Sequence, residues 1–338
     1  MAEVEAILGA VPLPMVLVGD EELIVTANPA GQALLGPGQV GRHHAIGLRQ
    51  PALLAAIGAA LRDGIPGQAP YAVTGPAQAS YHVTVTPIAH AGGRAVLLAF
   101  QDITEQERIT AFRRDFVANV SHELRSPLTT LVGLIDTLKG AAKDDPAARA
   151  RFLDIMQQEA ARMARLVRDL LSLSKAEAEE RRRPTAPVDI AALVRGVADT
   201  LRPLADSAGT VLAVDAPETL PPIPGDADRL VQVLRNLIEN AITYDTRGRR
   251  VTVTLDPGAG QPMLRIDVTD RGEGIEPQHL PRLTERFYRV DGHRGRAQGG
   301  TGLGLAIVKH IVARHRGRLA ISSHRGQGTR VSVFLPKS

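Results

Sequence analysis

The stretch Phe116-Val-Ala-Asn-Val-Ser-His-Glu-Leu-Arg-Ser-Pro-Leu128 decides how the middle of this 338-residue chain folds. Its apolar residues recur every three or four positions, which is the period of a helix with one apolar face. At about 100° per residue, His122 lies nearly opposite the stripe that contains Val120 and Leu124. The sequence therefore predicts an amphipathic helix that presents His122 to solvent, and Pro127 is expected to loosen that helix one turn later.

The same period continues on both sides of this stretch and predicts two long helices. A break falls between Gly140 and Pro146, where a helix stop is followed by a new start. The hairpin cannot bury both apolar stripes alone, so we expect a second copy of the chain to complete a homodimeric four-helix bundle. The stripes consist of Ile109, Phe112, Phe116, Val120, Leu124, Leu128, Leu131, Ile135 and Leu138, and of Phe152, Met156, Met163, Val167 and Leu170.

The chain before the hairpin predicts a small α+β domain. Residues 81–87 and 94–100 alternate between apolar and polar side chains, which is the period of a half-buried strand. Apolar runs lie at 15–18 and 23–25, and residues 51–61 read as a helix. We assign residues 1–103 to this domain and 104–182 to the hairpin.

The chain after the hairpin, residues 183–338, predicts an α/β sandwich whose sheet is covered on one side. Helices are expected over 189–204, 226–244 and 303–315. Strands are expected over 251–255, 264–270, 318–323 and 330–335. The predicted fold class is therefore a multidomain α+β protein.

Composition excludes several classes of function. The chain has no cysteine, which removes disulfides and thiolate metal sites and favours a reducing compartment, so a cytoplasmic location is expected. No basic face interleaved with aromatic residues is present, so nucleic-acid binding is not expected. The longest apolar stretch is interrupted by Pro12 and Pro14, and acidic Glu3 and Glu5 precede it, so neither a transmembrane segment nor a signal peptide is expected.

His122 is a candidate nucleophile. A neutral imidazole offers a nitrogen lone pair to phosphorus, and Glu123 beside it is a candidate acceptor for the proton of the other ring nitrogen. An exposed histidine on a helix is usually without function when it stands alone. Here the surrounding stretch resembles the H-box of sensor histidine kinases.

Further motifs resemble those of the same family and follow in the family's order. Asn236-Leu-Ile-Glu-Asn240-Ala-Ile-Thr-Tyr244 resembles the N-box, and its two asparagines share one helical face. Asp270-Arg-Gly-Glu-Gly274-Ile275 follows a predicted strand and resembles the first glycine box. Glu285-Arg-Phe-Tyr-Arg-Val-Asp291 resembles the F-box. Gly299-Gly-Thr-Gly-Leu-Gly-Leu305 resembles the second glycine box, whose amides at a helix start suit phosphate oxygens.

The resemblance, which covers about residues 116–335, implies ATP and Mg²⁺ as ligands. It implies autophosphorylation of His122 followed by phosphoryl transfer to an aspartate of a response regulator. Residues 291–298 are then the lid over ATP, with Arg294 and Arg296 facing the phosphates. The residues implied in ATP binding are Asn236, Asn240, Tyr244, Asp270, Gly272, Gly274, Ile275, Phe287, Arg289, Gly300, Thr301, Gly302, Leu303 and Gly304, with Asn240 also a ligand of Mg²⁺.

Two positions depart from the family pattern. Thr243 stands where a basic residue is common, so one phosphate contact is expected to come from another group. Ser126 occupies the position of Thr or Asn in members that also dephosphorylate their regulator, which leaves phosphatase activity open.

The first third of the chain resembles a PAS sensor domain, and the whole layout is similar to that of the phosphate-regulon sensor kinases. The cues are Ala27-Asn-Pro-Ala30 after a strand and Gln101-Asp-Ile-Thr-Glu105 at the junction with the helix. The histidines here follow no pattern of haem or metal ligands, so we expect ordinary surface or loop residues at His43, His44, His82 and His90.

Two rival functions share some of these features. A PAS-containing scaffold that binds nucleotide without transferring phosphate is disfavoured, because His122, Glu123, Asn240 and Asp270 are all present. An ATPase of the wider superfamily of gyrase and heat-shock chaperones would share the nucleotide motifs. The hairpin that carries His122 argues against it.

Overall fold

The computed structural model describes residues 2–73, 78–90, 93–180, 182–245, 249–258, 260–290 and 300–338. The chain divides into two compact units, Met1–Ala118 and Asn119–Ser338. The helix Thr104–Lys139 contributes residues to both units. The side chains of Phe112, in the first predicted stripe, and of His90 lie outside the described residues. The boundaries of the three domains given above stay a prediction.

The first unit is built around a five-stranded antiparallel sheet in the order β2-β1-β5-β4-β3. Val83 and Val85 on β4 are fully buried, as the alternating pattern predicts, and they meet Leu53 and Ile57 of α4 in one core. The predicted α+β fold is confirmed, while the assignment as a PAS domain stays a prediction. The elements are α1 (Ala2–Gly9), β1 (Met15–Val18), β2 (Ile24–Ala27), α2 (Pro29–Leu35), α3 (His44–Gly47), α4 (Pro51–Asp63), β3 (Gly67–Val73), β4 (Ala79–His90) and β5 (Gly93–Asp102).

One expectation for this unit is wrong. His44 is buried, with 5% of its surface exposed, and is not a surface histidine. Its Nδ1 lies 2.9 Å from the carbonyl oxygen of Glu22, so a main-chain acceptor in a turn distant in sequence holds the ring. Sequence spacing gave no sign of this contact, because 22 positions separate the two residues.

Two long helices, α5 (Thr104–Lys139) and α6 (Pro146–Glu179), form the predicted hairpin. Asp145 caps α6, because its carboxylate accepts hydrogen bonds from the amides of Ala147 and Ala148, both at 3.0 Å. Helix α5 continues through Pro127, which is buried. The expected loosening therefore does not interrupt the helix.

Helix α6 carries a second apolar face that the sequence pattern did not reveal. Leu166, Leu173 and Ala176 are buried, although none of them belongs to the predicted stripe. Over its C-terminal part, α6 packs against the final helix of the chain, α9 (Gly304–Arg314). This face therefore joins the hairpin to the domain that follows it.

The C-terminal domain contains a five-stranded sheet in the order β11-β12-β10-β9-β7, in which only the β7–β9 pair is parallel. Buried and part-exposed residues alternate along β9, which is the pattern of a sheet covered on one side, as predicted. The short strands β6 and β8 pair separately, and β6, β7 and β8 were not predicted. The remaining elements are β6 (Ala186–Val188), α7 (Ile190–Ser207), β7 (Val211–Asp215), β8 (Ile223–Gly225), α8 (Ala227–Tyr244), β9 (Arg250–Asp256), β10 (Met263–Thr269), a 3₁₀ turn (Leu280–Arg282), β11 (Arg318–His324) and β12 (Gly328–Pro336).

Within the described part of the chain, no helix combines the length and the apolar character that crossing a membrane requires.

The core of this domain predicts a contrast between two positions on α8. Ile238 is fully buried, whereas Val231 is 39% exposed. We expect Ile238→Ala to lower the free energy of unfolding by about 2–5 kcal/mol, because it leaves a cavity. Val231→Ala is expected to change it by roughly 0.5 kcal/mol or less. Scanning calorimetry of both variants measures this, and equal shifts of the transition would contradict the packing described.

Candidate functional site

Asn236 and Asn240 on α8 lie beside the first residue of α9, Gly304. The Nδ2 atom of Asn236 donates to the carbonyl oxygen of Gly304 at 3.3 Å. A Cβ atom added at Gly304 would lie 3.8–3.9 Å from the side-chain amides of Asn236 and Asn240. The structure therefore brings the predicted N-box and the second glycine box together.

Asp270 forms a buried acceptor at the end of β10. Its side chain is held by the amides of Gly272 and Thr329, which donate to Oδ1 at 2.9 and 3.1 Å. Burial raises the pKa of the Asp270 carboxyl above its ordinary value, and these two amides act in the opposite direction. The carboxyl group is therefore fixed in position beside the turn that it begins.

Two glycines in this turn allow close main-chain crossings. A Cβ atom at Gly272 would lie 2.3 Å from the carbonyl oxygen of Tyr244, and one at Gly274 would lie 2.1 Å from that of His324. Gly274 also has a φ of +69°, which disfavours other residues. The next residue, Ile275, donates its amide to Oγ of Ser323 at 2.8 Å. The turn is thus fastened to the end of α8 on one side and to β11 on the other.

The F-box and the second glycine box form one unit. The amide of Phe287 donates to the carbonyl oxygen of Gly302 at 2.9 Å, and both residues have positive φ angles, +62° and +71°. Nη1 of Arg289 donates to the carbonyl oxygen of Gly300 at 2.6 Å. Nη2 of Arg289 is buried and has no hydrogen-bond partner among the described residues. The site therefore contains a cationic donor that an anionic ligand can satisfy.

Other residues of the predicted site lie around this unit. Tyr244, at the end of α8, is 47% exposed, and its hydroxyl lies 3.7 Å from a Cβ built at Gly300. Leu303 is fully buried at the start of α9. The predicted lid, Asp291–Gln298 with Arg294 and Arg296, and also Gly299, lie outside the described residues. Thr243 donates its hydroxyl to the carbonyl oxygen of Glu239 at 2.7 Å.

His122 is exposed on α5, as predicted. Its neighbour Glu123 points elsewhere, because consecutive helical residues diverge by about 100°. The Glu123 carboxylate accepts a hydrogen bond from Nη2 of Arg162 on α6 at 3.1 Å. Ser126, the candidate phosphatase position, is also exposed. The structure thus gives Glu123 a partner across the hairpin, and its role as acceptor of the His122 proton stays a prediction.

The sequence patterns did not predict the contacts between α6 and the glycine box and F-box. The hydroxyl of Thr301 donates to Oδ2 of Asp169 at 2.7 Å, and burial raises the pKa of the Asp169 carboxyl. Further along α6, Arg286 of the F-box pairs with Glu177. Other contacts join Gln232 to Ser172 at 2.5 Å, Arg229 to Glu179 at 3.3 Å and His310 to Glu180 at 2.7 Å. The C-terminal domain is therefore docked on the last three turns of the hairpin.

Two protein families match the chain. Residues 225–338 match the family described as histidine kinase-, DNA gyrase B-, and HSP90-like ATPase, and residues 112–179 match the His Kinase A (phospho-acceptor) domain. The first range contains the glycine-lined site, and the second contains His122.

Similar curated proteins include the phosphate regulon sensor protein PhoR of Pseudomonas aeruginosa, with 39% identity over 249 residues. This match covers 74% of the present chain and 54% of PhoR. The sensor-like histidine kinase SenX3 of Mycolicibacterium smegmatis is 38% identical over 244 residues, covering 72% of this chain and 62% of SenX3. The chain thus spans roughly half to three fifths of these relatives.

Solved structures of the same fold include the Acinetobacter baumannii histidine kinase AdeS, with a TM-score of 0.51 and 27% identity. That match covers 64% of the present chain and 98% of the AdeS chain. Histidine kinase ThkA, solved in complex with the response regulator protein TrrA, gives a TM-score of 0.53 over 99% of this chain and 98% of its own. At 19% identity, the likeness to ThkA shows the fold alone.

The close crossing at Gly274 predicts a contrast with Gly326, which also has a positive φ, +82°, but has no atom within 4 Å of an added Cβ. Both alanine variants carry backbone strain of about 1–2 kcal/mol. We expect Gly274→Ala to lower the melting temperature further and to weaken binding of an adenine nucleotide, because the Asp270 turn must move. Calorimetry and a fluorescent-nucleotide titration measure this. Equal effects on both readouts would contradict the prediction.

Proposed function

Because this chain belongs to the sensor histidine kinases, we propose that it is an ATP-dependent protein-histidine kinase that phosphorylates its own His122. The phosphoryl group then passes to an aspartate of a cognate response regulator. The observation that carries the proposal is the presence, in one compact unit, of an exposed His122 and of a site in which the N-box, F-box and both glycine boxes converge.

The proposed ligand of this site is ATP with Mg²⁺. Asp270 suits the adenine amino group, because its Oδ1 is held by two amides and its Oδ2 accepts no hydrogen bond from the described residues, which leaves Oδ2 for a donor from the base. The unsatisfied Nη2 of Arg289 and the amides of 300–304 suit phosphate oxygens. For Mg²⁺ we propose the amide oxygens of Asn240 and Asn236, since Nδ2 of Asn236 is engaged with Gly304. The bound ion neutralises phosphate charge.

The reaction requires a nitrogen nucleophile that ATP can reach. An exposed, neutral imidazole at His122 attacks the γ-phosphorus, so that an N–P bond forms and the bond between the γ-phosphorus and the ADP oxygen breaks. The proton on the other ring nitrogen leaves to a base, for which Glu123 is the proposed acceptor. Glu123 must then turn away from Arg162.

We propose that the hairpin also forms the homodimer interface. Four apolar side chains of the hairpin are each more than half exposed in the single chain: Leu128, Val132, Leu153 and Leu171. A second copy packed against the hairpin would bury them. The response regulator is the proposed second partner, in line with the ThkA complex with TrrA. Ser126 leaves phosphatase activity as a further proposal, and a cytoplasmic location stays a prediction.

Two rival functions make different predictions. A nucleotide-binding scaffold would bind ATP but would never acquire a phosphoryl group. A superfamily ATPase would release phosphate in a reaction that does not depend on His122. The match of residues 112–179 to the phospho-acceptor domain supports the kinase over both.

Incubation with γ-labelled ATP and Mg²⁺ tests the kinase directly. We expect an acid-labile, alkali-stable label on the wild-type chain and on Asp136→Asn, which changes an exposed residue on the same helix outside the H-box. His122→Gln and Asn240→Ala are expected to carry no label, because one lacks the nucleophile and the other lacks a metal ligand. Nucleotide binding without any label would favour the scaffold, and phosphate release that survives His122→Gln would favour the ATPase.

The docking contacts on α6 bear on how the transfer is controlled. Arg162 on α6 pairs with Glu123, the neighbour of His122 on α5. Asp169, which binds Thr301, follows Arg162 by seven residues, or about 10 Å along the helix. Thr301 therefore binds α6 about 10 Å further along the helix than the position that faces Glu123, the neighbour of His122 in the same chain. We infer that the C-terminal domain must release α6 before transfer within one chain.

This inference predicts a faster reaction when docking is weakened. Glu177→Gln removes the charge partner of Arg286 and leaves the ATP-site residues unchanged. A pair of this kind contributes about 1 kcal/mol, so we expect up to about a five-fold increase in the initial labelling rate at saturating ATP. Asp154→Asn, an exposed change earlier on α6, serves as the control. A rate that stays equal to the control, or falls, would show that docking does not limit transfer.

A further inference from the structure

Three potential metal ligands meet in the first unit, far in sequence from the kinase motifs. Glu22, His43 and His44 each offer one ligand atom, and these atoms all lie within 4.8 Å of one another. Nε2 of His43 is 2.8 Å from Oε2 of Glu22. Two ligands at about 2 Å from one ion lie roughly 3 Å apart, so this pair already has the separation of two ligands of a single ion. We call these residues the Glu22 cluster.

The main chain fixes the spacing of the Glu22 cluster. Glu22 lies in the turn between β1 and β2 with a φ of +60°, and its carbonyl oxygen accepts the amide of His44 at 2.9 Å. Leu23 and His43 form a β-bridge, and the amide of Ile24 donates to the carbonyl oxygen of Arg42 at 2.9 Å. Backbone hydrogen bonds therefore hold the two histidines beside Glu22.

The hydrogen bonds also define which ring nitrogens are free. A carbonyl oxygen only accepts, so Nδ1 of His44 must carry the proton in its contact with the carbonyl oxygen of Glu22. Nε2 of His44 is then the nitrogen with a lone pair. Metal-binding histidines commonly donate their second ring N–H to a backbone carbonyl in this way, which fixes the tautomer.

We propose that the Glu22 cluster binds one divalent transition-metal ion, best matched by Zn²⁺. Two imidazoles and one carboxylate suit Zn²⁺ and leave a fourth position for water or another ligand, whereas Mg²⁺ prefers oxygen ligands. The side chains of Glu22 and His43 are 46% and 44% exposed, so the ion can enter from solvent. His44 is buried and its ring stacks on that of His43, with the ring centroids 4.8 Å apart, so the two rings must rotate apart for both to ligate one ion.

Metal binding also moves one proton within the cluster. Without metal, Nδ1 of His43 accepts the amide of Ala45 at 3.2 Å, so Nε2 carries the ring proton and donates it to Glu22. When the ion takes Nε2, the ring proton moves to Nδ1 and the Ala45 amide loses its acceptor. The first turn of α3 is therefore coupled to metal binding.

Titration calorimetry with Zn²⁺ alone tests the proposal on the full chain, purified without a polyhistidine tag and without nucleotide. We expect one ion per chain at this site, with binding at least ten-fold weaker in Glu22→Gln and in His43→Gln. Glu21→Gln and His82→Gln, which change a neighbouring carboxylate and another histidine of the same unit, are expected to bind as the wild type does. The chain has no cysteine, so thiolates contribute no background.

A second probe, Co²⁺, reports the ligand geometry by its visible absorption and needs no kinase activity. Absence of Zn²⁺ binding in the wild type would overturn the proposal. The proposal would also be overturned if a cluster variant that shows a cooperative melting transition, either Glu22→Gln or His43→Gln, bound Zn²⁺ as tightly as the wild type. Mg²⁺ in the same titration is expected to give no heat at this site, and displacement of Zn²⁺ by equimolar Mg²⁺ would also contradict the assignment.

Discussion

Main-chain segments of the ATPase domain cross more closely than any side chain would permit, and the nucleotide site depends on these crossings. A Cβ atom would lie 2.3 Å from a backbone carbonyl oxygen at Gly272, 2.1 Å at Gly274 and 2.2 Å at Gly328, and 2.8 Å from the Cα of Phe287 at Gly302. These crossings fasten the Asp270 turn between α8 and the β11–β12 hairpin, and they join the F-box to the second glycine box. The site is thereby shaped by backbone, which leaves amides and a buried carboxyl to meet the ligand.

Helix α6 connects this site to the proposed phosphoacceptor because successive parts of the helix have different partners. Arg162 pairs with Glu123 beside His122. Further along the helix, Asp169 and Glu177 hold the glycine box and the F-box. Leu153 and Leu171 are exposed, and we propose that a second chain covers them. A helix shared in this way ties the position of the catalytic domain to the packing of the hairpin.

Local periodicity predicted most of the helices and strands, because burial on one face imposes a period of 3.6 or 2 on the residues that form it. The motifs also predicted that the N-box and the second glycine box belong to one site, and the hydrogen bond between Asn236 and Gly304 joins the two. Contacts between distant segments left no such signal: Thr301 and Asp169 are 132 positions apart, and Glu22 and His43 are 21 apart. Leu166, Leu173 and Ala176 were missed because the predicted stripe accounted for only one apolar face of α6.

The central claim is that His122 receives the phosphoryl group, and locating that group by mass spectrometry tests it most directly. Trypsin, which cleaves after Arg114 and Arg125, releases residues 115–125 as one peptide, in which Ser121 is the only hydroxyl residue beside His122. After incubation with ATP and Mg²⁺ and digestion at alkaline pH, the account predicts fragment ions that carry the phosphoryl group on His122. A phosphoryl group on Ser121, or on a different peptide such as the one that begins at Ser126, would contradict it.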